Sequence, residues 1–216
     1  VGTQEPFDRL ARITATLLDT PIAFVTLVAA ERVWIKAAHG SEVLEVPREL
    51  SFCTHVVDRA GALIVEDASR DPCFRDNPLV AADPGLRFYA GAPLIVPGGH
   101  RVGTLCALDT RPRSPTAAQI DALVDLAALA VDELELRRES AERARAEAAA
   151  RQERERLVAV IDSLPFNLWV CDAAGRYVLQ NRIGREQWGD TVGKLPDETE
   201  ERRVGKECRS RWSPYH

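Results

Sequence analysis

Apolar residues Phe7, Leu10, Ala11, Ile13, Ala15, Leu17 and Leu18 recur at helical spacing and predict a short amphipathic helix. It ends at Asp19-Thr20-Pro21, because the residue before a proline is pushed out of the helical region. Ile22 to Ala29 and Val33 to His39 are two β-branched, apolar runs around the polar pair Glu31-Arg32, and they predict a hairpin. Ser51 to Val57 reads as a helix that Ser51 can cap, and Leu63-Ile64-Val65 as a short buried strand. Asp67 to Pro84 reads as a turn-rich loop with at most one helical turn. Phe88 to Val96, the turn Pro97-Gly98-Gly99-His100 and Val102 to Leu108 complete the segment as a hairpin of long strands. This order predicts an α+β architecture, a mostly antiparallel sheet with flanking helices.

From Pro115 the pattern changes. Ser114-Pro115-Thr116 offers a cap before a proline at the first helical position, and neither Gly nor Pro follows until Pro165. One long helix is expected. Ile120, Ala127, Leu134, Ala141 and Ala148 fall seven apart, with Leu123, Ala130 or Val131 and Ala144 at the companion position, so a parallel coiled coil is expected and with it a homodimer through residues 115–160. The competing reading is a single exposed helix built of strong helix formers. After Pro165, Asn167 to Asp172 and Arg176 to Asn181 flank the turn Ala173-Ala174-Gly175 and predict a hairpin that opens a second domain.

Length and composition fit this plan. The chain has 216 residues, 45% hydrophobic and 28% charged, which is the balance of a folded globular protein with room for one domain and part of another. The net charge is −5, and only residues 200–216 are net positive, with five basic groups against three acidic ones. Nucleic acid and anionic membranes are therefore not expected as partners. No apolar run reaches the roughly 18 residues of a bilayer span, and Val1 to Glu5 lack the character of a secretory signal, so a cytoplasmic location is expected. The complete absence of methionine, even at position 1, reads as an internal fragment.

Chemistry is sparse. The five cysteines Cys53, Cys73, Cys106, Cys171 and Cys208 are widely spaced with no Cys-x-x-Cys, which signals neither a disulfide framework nor a zinc site. Phosphate-binding loops, nucleophile elbows, His-Glu-x-x-His and kinase or cyclase signatures are all missing, so no enzyme activity is expected of these residues. Cys53 and His55 stand two apart on a helix, about 200° from one another, and are read as separate side chains, Cys53 being an inert core thiol. Cys106 lies in an apolar strand and reads as core. Cys73, in a polar loop, is the candidate reactive thiol.

Several segments together carry a family resemblance. Phe52-Cys53, Val65-Glu66-Asp67-Ala68, Asp71-Pro72-Cys73-Phe74, Asn77-Pro78-Leu79-Val80, Arg87 to Leu94 and Gly103 to Asp109 resemble a GAF domain, in particular the branch at the input end of bacterial sensor histidine kinases and diguanylate cyclases. The domain is expected over residues 1–136, followed by a signalling helix over 137–160. Val160 to Phe166, Asp172 to Tyr177, Asn181 and Trp188-Gly189 resemble the opening of a PAS domain, expected over 161–199. Residues 200–216 resemble a translated sequencing adapter and read as a non-native tail; the rival reading is a genuine basic tail.

The resemblance implies a small-molecule pocket between the sheet and its covering loop, with Phe52, His55, Asp71, Phe74, Phe88, Tyr89 and Cys106 as lining candidates. For Phe52, Phe88 and Cys106 the competing role is core filling. Asp71-Pro72-Cys73-Phe74 is similar to an element of bilin-binding GAF domains, but the adjacent Cys-His pair those domains carry is missing. The cyclic-nucleotide signature of other GAF domains is also absent. No cofactor or metal is assigned, and the ligand remains an unidentified small molecule. The expected function is the sensory input of a signalling protein, with small-ligand or redox sensing passed through a dimeric helix. The parent is expected to be a histidine kinase; the alternatives are a diguanylate cyclase or phosphodiesterase, a ligand-free dimerisation module and, remotely, a GAF-fold methionine sulfoxide reductase.

Overall fold

The computed structural model describes residues 5–59 and 61–195, and the chain divides into two compact units, Val1–Ser140 and Ala141–His216. The tail assigned to residues 200–216, with Cys208, lies outside the described residues, as do 196–199 of the expected PAS segment.

In the first unit, α1 (Glu5–Leu18) buries Phe7, Leu10, Ala11, Thr14, Ala15 and Leu18. Ile13, expected on that stripe, is exposed, and Thr14 takes the inward position. The strands are β1 (Ile22–Val28), β2 (Arg32–His39), β3 (Glu45–Pro47), β4 (Leu63–Val65), β5 (Phe88–Ile95) and β6 (Arg101–Asp109). They form one antiparallel sheet in the order β3-β2-β1-β6-β5-β4, so β6 is paired on both sides. A 3-10 turn (Arg48–Leu50) leads into α2 (Phe52–Val57), and α3 (Pro78–Ala81) is the single helical turn of the 67–84 loop. β3 was not expected; three residues ending in proline carry no alternation to read.

Side chains alternate across a strand, and the two faces of this sheet bury different clusters. Ala23 and Val25 of β1, Phe88, Ala90, Ala92 and Leu94 of β5, and Leu105 and Ala107 of β6 share one core with α1 and the long helix α4 (Ala117–Asp162). Phe24, Tyr89 and Cys106 share the other with α2 and the loop carrying Phe74 and Val80.

The start of α4 corrects the expected cap. The helix begins after Thr116, whose hydroxyl accepts from the Gln119 N–H (3.3 Å) while Gln119 Oε1 accepts from the Thr116 N–H (2.9 Å). This is a reciprocal capping box, and Thr116-Ala117-Ala118-Gln119 outcompetes Ser114-Pro115 because it satisfies two terminal donors at once. Gln119 Nε2 also donates to the Leu17 carbonyl at 2.7 Å and fastens the helix to the end of α1. The seven-residue pattern divides along the helix. Leu123, Ala127, Ala130 and Val131 are buried in the sheet core, so the first half of the expected seam is occupied within the chain. From Glu139 to Val160 the helix is exposed, including Ala141, Ala144 and Ala148.

The second unit contains the antiparallel pair β7 (Trp169–Cys171) and β8 (Tyr177–Gln180), then α5 (Arg182–Trp188). Asp172 Oδ1 accepts from the N–H groups of Ala174 and Arg176, both at 2.9 Å, and closes the hairpin turn. Buried Asn181 caps α5 through the Gly184 N–H (3.0 Å), accepts from Leu168 N–H (3.0 Å) and donates to the Phe166 carbonyl (2.8 Å). Among the described residues no helix is long and apolar enough to cross a membrane.

Candidate functional site

A cavity of about 50 Å³ lies between α2 and the sheet, lined by Phe24, Thr26, Val33, Ser51, Phe52, Cys53, Tyr89, Cys106 and the aliphatic side chains Ile35, Val46, Leu79, Leu86 and Leu108. Of its lining residues Leu79 is exposed and Val46 partly so. Small-molecule pockets usually measure roughly 300–1,000 Å³, whereas a water needs only on the order of 10–15 Å³ of such space. The cavity therefore accommodates a few atoms and no nucleotide or bilin.

Its floor holds the chemistry. Ser51 caps α2 by accepting from the Cys53 N–H (3.2 Å), and this sets Cys53 on the helix face turned to the sheet. Cys106 is at the centre of β6, opposite Phe24 on one side and Gly91 on the other. The two sulfurs are 3.9 Å apart. Tyr89 Oη donates to Cys53 Sγ at 3.5 Å. Tyr89 can reach across because Gly91, two residues on, has no side chain: a Cβ there would meet the ring carbons Cζ and Cε1 at 2.8 and 2.9 Å, closer than real contacts allow. Thr26 and Thr104 face each other beside the pair, with their buried hydroxyls 2.9 Å apart.

These contacts split the two thiols. The hydrogen bond with Cys106 lowers the Cys53 pKa below the usual thiol range; burial opposes it, and bonds involving Thr104, Tyr89 and Ser51 add to it. The same bond with Cys53 raises Cys106, and burial raises it further. Burial also raises the Tyr89 phenol, with the neighbouring Cys53 adding to it. The first proton is thus released by the pair as a unit and earlier than from an isolated buried thiol.

Of the expected lining residues, Phe52, Tyr89 and Cys106 face the cavity. Phe74 lies one layer back, stacked on Phe52 with ring centroids 4.2 Å apart and 12° between planes. His55 is exposed and meets Phe74 edge-on at 4.9 Å. Asp71 is a turn former: its Oδ1 accepts from the Cys73 N–H at 2.8 Å, and its carbonyl from the Phe74 and Arg75 N–H groups. Phe88 points to the opposite face of the sheet, into the core shared with α1 and α4, because it is one residue out of phase with Tyr89. Cys73 is exposed, as expected for a loop thiol. The residue that sequence reasoning set aside is Cys53; its burial was anticipated, but its contact with Cys106 was not.

A larger open groove of about 600 Å³ lies at the far end of α1, around Asp19, His39, Asp109 and Arg113. Arg113 Nε donates to buried Asp109 (2.6 Å) and its NH1 group to Asp19 (2.9 Å), so the guanidinium is held by two carboxylates and fastens β6 to the end of α1. No group of three or more metal-ligating side chains occurs among the described residues.

Comparison with known proteins agrees with this geometry. A curated relative, the cyclic di-GMP phosphodiesterase PA2567 of Pseudomonas aeruginosa, is 38% identical over 124 residues, which is 57% of this chain and 21% of that protein. The chain thus spans about a fifth of that relative's length. Among solved structures, a domain of a two-component sensor histidine kinase protein from Sinorhizobium meliloti superposes with a TM-score of 0.51 at 17% identity, covering 66% of this chain and 98% of that one. The free methionine-R-sulfoxide reductase of Neisseria meningitidis gives 0.51 at 17% identity, covering 64% and 83%. At these identities the likeness is one of fold, and one fold hosts different chemistries. The profile of the GAF domain family matches residues 3–134, and with a sheet, flanking helices and covering loop of that form, the chain belongs to the GAF domain family.

Proposed function

We propose that the chain is a sensory input segment of a multidomain cytoplasmic signalling protein, in which the state of the cavity between α2 and the sheet is passed through α4 to a following module. The observation that carries this reading is the dual character of α4. Its first turns bury Leu123, Ala127, Ala130 and Val131 in the core that contains β6, and the same helix runs on to Asp162. A change in the sheet then biases the helix packed against it. The exposed part of α4 forms the dimer contact in this reading, and the hairpin and Asn181-capped helix that follow are the opening of a PAS domain.

The curated relative favours an output that acts on cyclic di-GMP over a histidine kinase. The segment itself carries no enzymatic role in this account. A second reading, a ligand-free dimerisation module, is favoured by the small cavity, which leaves no room for an organic ligand of ordinary size. Sedimentation equilibrium of the full chain tests the common part of both readings: a dimer at micromolar concentration is expected, and a monomer contradicts them. Native mass spectrometry separates the two, since a retained small molecule rules out the ligand-free module.

A further inference from the structure

We propose that Cys53 and Cys106 are a redox dithiol, which a hydroperoxide entering the cavity oxidises to an intramolecular disulfide that ties α2 to β6. This deepens the sensory reading above; its signalling consequence rests on that reading, while the thiol chemistry stands on the geometry of the pair.

Three observations converge. The sulfurs are in contact at 3.9 Å, although 53 positions apart, with no other residue between them. Tyr89 aims its hydroxyl at Cys53, which suits stabilisation of a thiolate, and it can do so only because Gly91 leaves its ring room. Both sulfurs line a cavity of about 50 Å³ whose lining includes exposed Leu79, large enough for a peroxide group.

The steps balance. Cys53 thiolate attacks one peroxide oxygen, the O–O bond breaks, and the departing alkoxide or hydroxide takes up the proton released by the thiol, leaving Cys53 as a sulfenic acid. Cys106 sulfur then attacks Cys53 sulfur, the S–O bond breaks, and the hydroxyl leaves as water with the Cys106 proton. Two thiols are oxidised by two electrons, and one hydroperoxide is reduced to an alcohol and water, or to two waters from hydrogen peroxide. An external thiol reverses the reaction by exchange.

Bridging requires the sulfurs to close from 3.9 Å to about 2.05 Å. β6 is hydrogen-bonded on both sides, whereas α2 is six residues long, so α2 makes the movement. Phe52, beside Cys53, moves with it against Phe74. On β6, Leu105 and Ala107 flank Cys106 and lie in the core with Leu123 and Ala127 of α4, which places the new bond one strand away from the long helix.

The test uses the full chain with Cys73, Cys171 and Cys208 changed to Ser, alongside the unaltered protein. After hydrogen peroxide, the denatured protein is expected to have lost two hydrogen atoms, a non-reducing peptide map joins the Cys53 and Cys106 peptides, and dithiothreitol restores the mass. With Cys106→Ser added, Cys53 is expected to gain one oxygen that dimedone traps. The proposal is overturned if both thiols stay open to alkylation after peroxide, or if each gains oxygen with no bridge; either result leaves ligand sensing standing. A bridge that forms with α4 unchanged in hydrogen exchange supports the dithiol and removes its signalling consequence.

Discussion

Leu123→Ala is the substitution that probes whether α4 is part of the GAF core. Leu123 is fully buried, in one cluster with Phe88, Leu105 and Ala127. Truncation removes the equivalent of three methylenes, about 2.4 kcal/mol at ~0.8 kcal/mol each. The cavity left between helix and sheet adds to that loss, which brings the total to about 3–4 kcal/mol, within the range of buried Leu→Ala changes. Leu136→Ala, at a position 63% exposed on the same helix, is the control and is expected to stay within about 0.5 kcal/mol. Urea denaturation followed by circular dichroism, with hydrogen exchange of β5 and β6 peptides to assign the transition, reads the difference. With a slope of about 2 kcal/mol/M, the midpoint falls by roughly 1.5–2 M for Leu123→Ala. Equal midpoints for the two variants would refute the packing of α4 on the sheet and with it the route from cavity to helix.

Three further outcomes are expected. Thr116→Ala costs about 1 kcal/mol in the same unfolding experiment, because it opens the capping box, while Ser114→Ala is silent; the reverse order would restore the cap expected from Ser114-Pro115. Asp109→Ala costs about 1–3 kcal/mol, below the full loss of a buried pair because Arg113 is partly exposed and keeps Asp19; a loss under 0.5 kcal/mol in thermal or urea unfolding contradicts the role of this ion pair. The pH dependence follows from the split thiols. Cys53 is lowered on folding, so the stability it adds is present above its unfolded value of about 8.5 and is lost as pH falls towards its folded value. Cys106 is raised, so its contribution is present below the same value and declines above it. The stability difference between the reduced protein and Cys53→Ser is therefore expected to grow as pH rises to about 8.5 and to shrink beyond it; a difference that is flat with pH contradicts the assignment.

Much of the fold was legible because local rules agreed with the tertiary result. The apolar stripe of α1, the Ser51 cap, the glycine turn between β5 and β6 and the unbroken run of α4 are set within a few residues each. The face on which a residue sits was harder to read. Phe88 to Leu94 is buried on both sides, so the strand has no polar alternation to tell which face Phe88 and Tyr89 take. The heptad pattern of α4 is ambiguous for a related reason: burial against a sheet and burial in a coiled coil ask for the same spacing. Contact between Cys53 and Cys106 depends on the register of β6 with its neighbours and on the docking of α2, and neither is encoded near the two residues.

Hydrogen–deuterium exchange of the full chain, reduced and after peroxide, tests most directly whether the cavity is read out by the long helix. Altered exchange in α2 and β6 that extends into α4 from Leu123 onwards is the predicted result. Unchanged exchange throughout α4 in the two states would contradict the account.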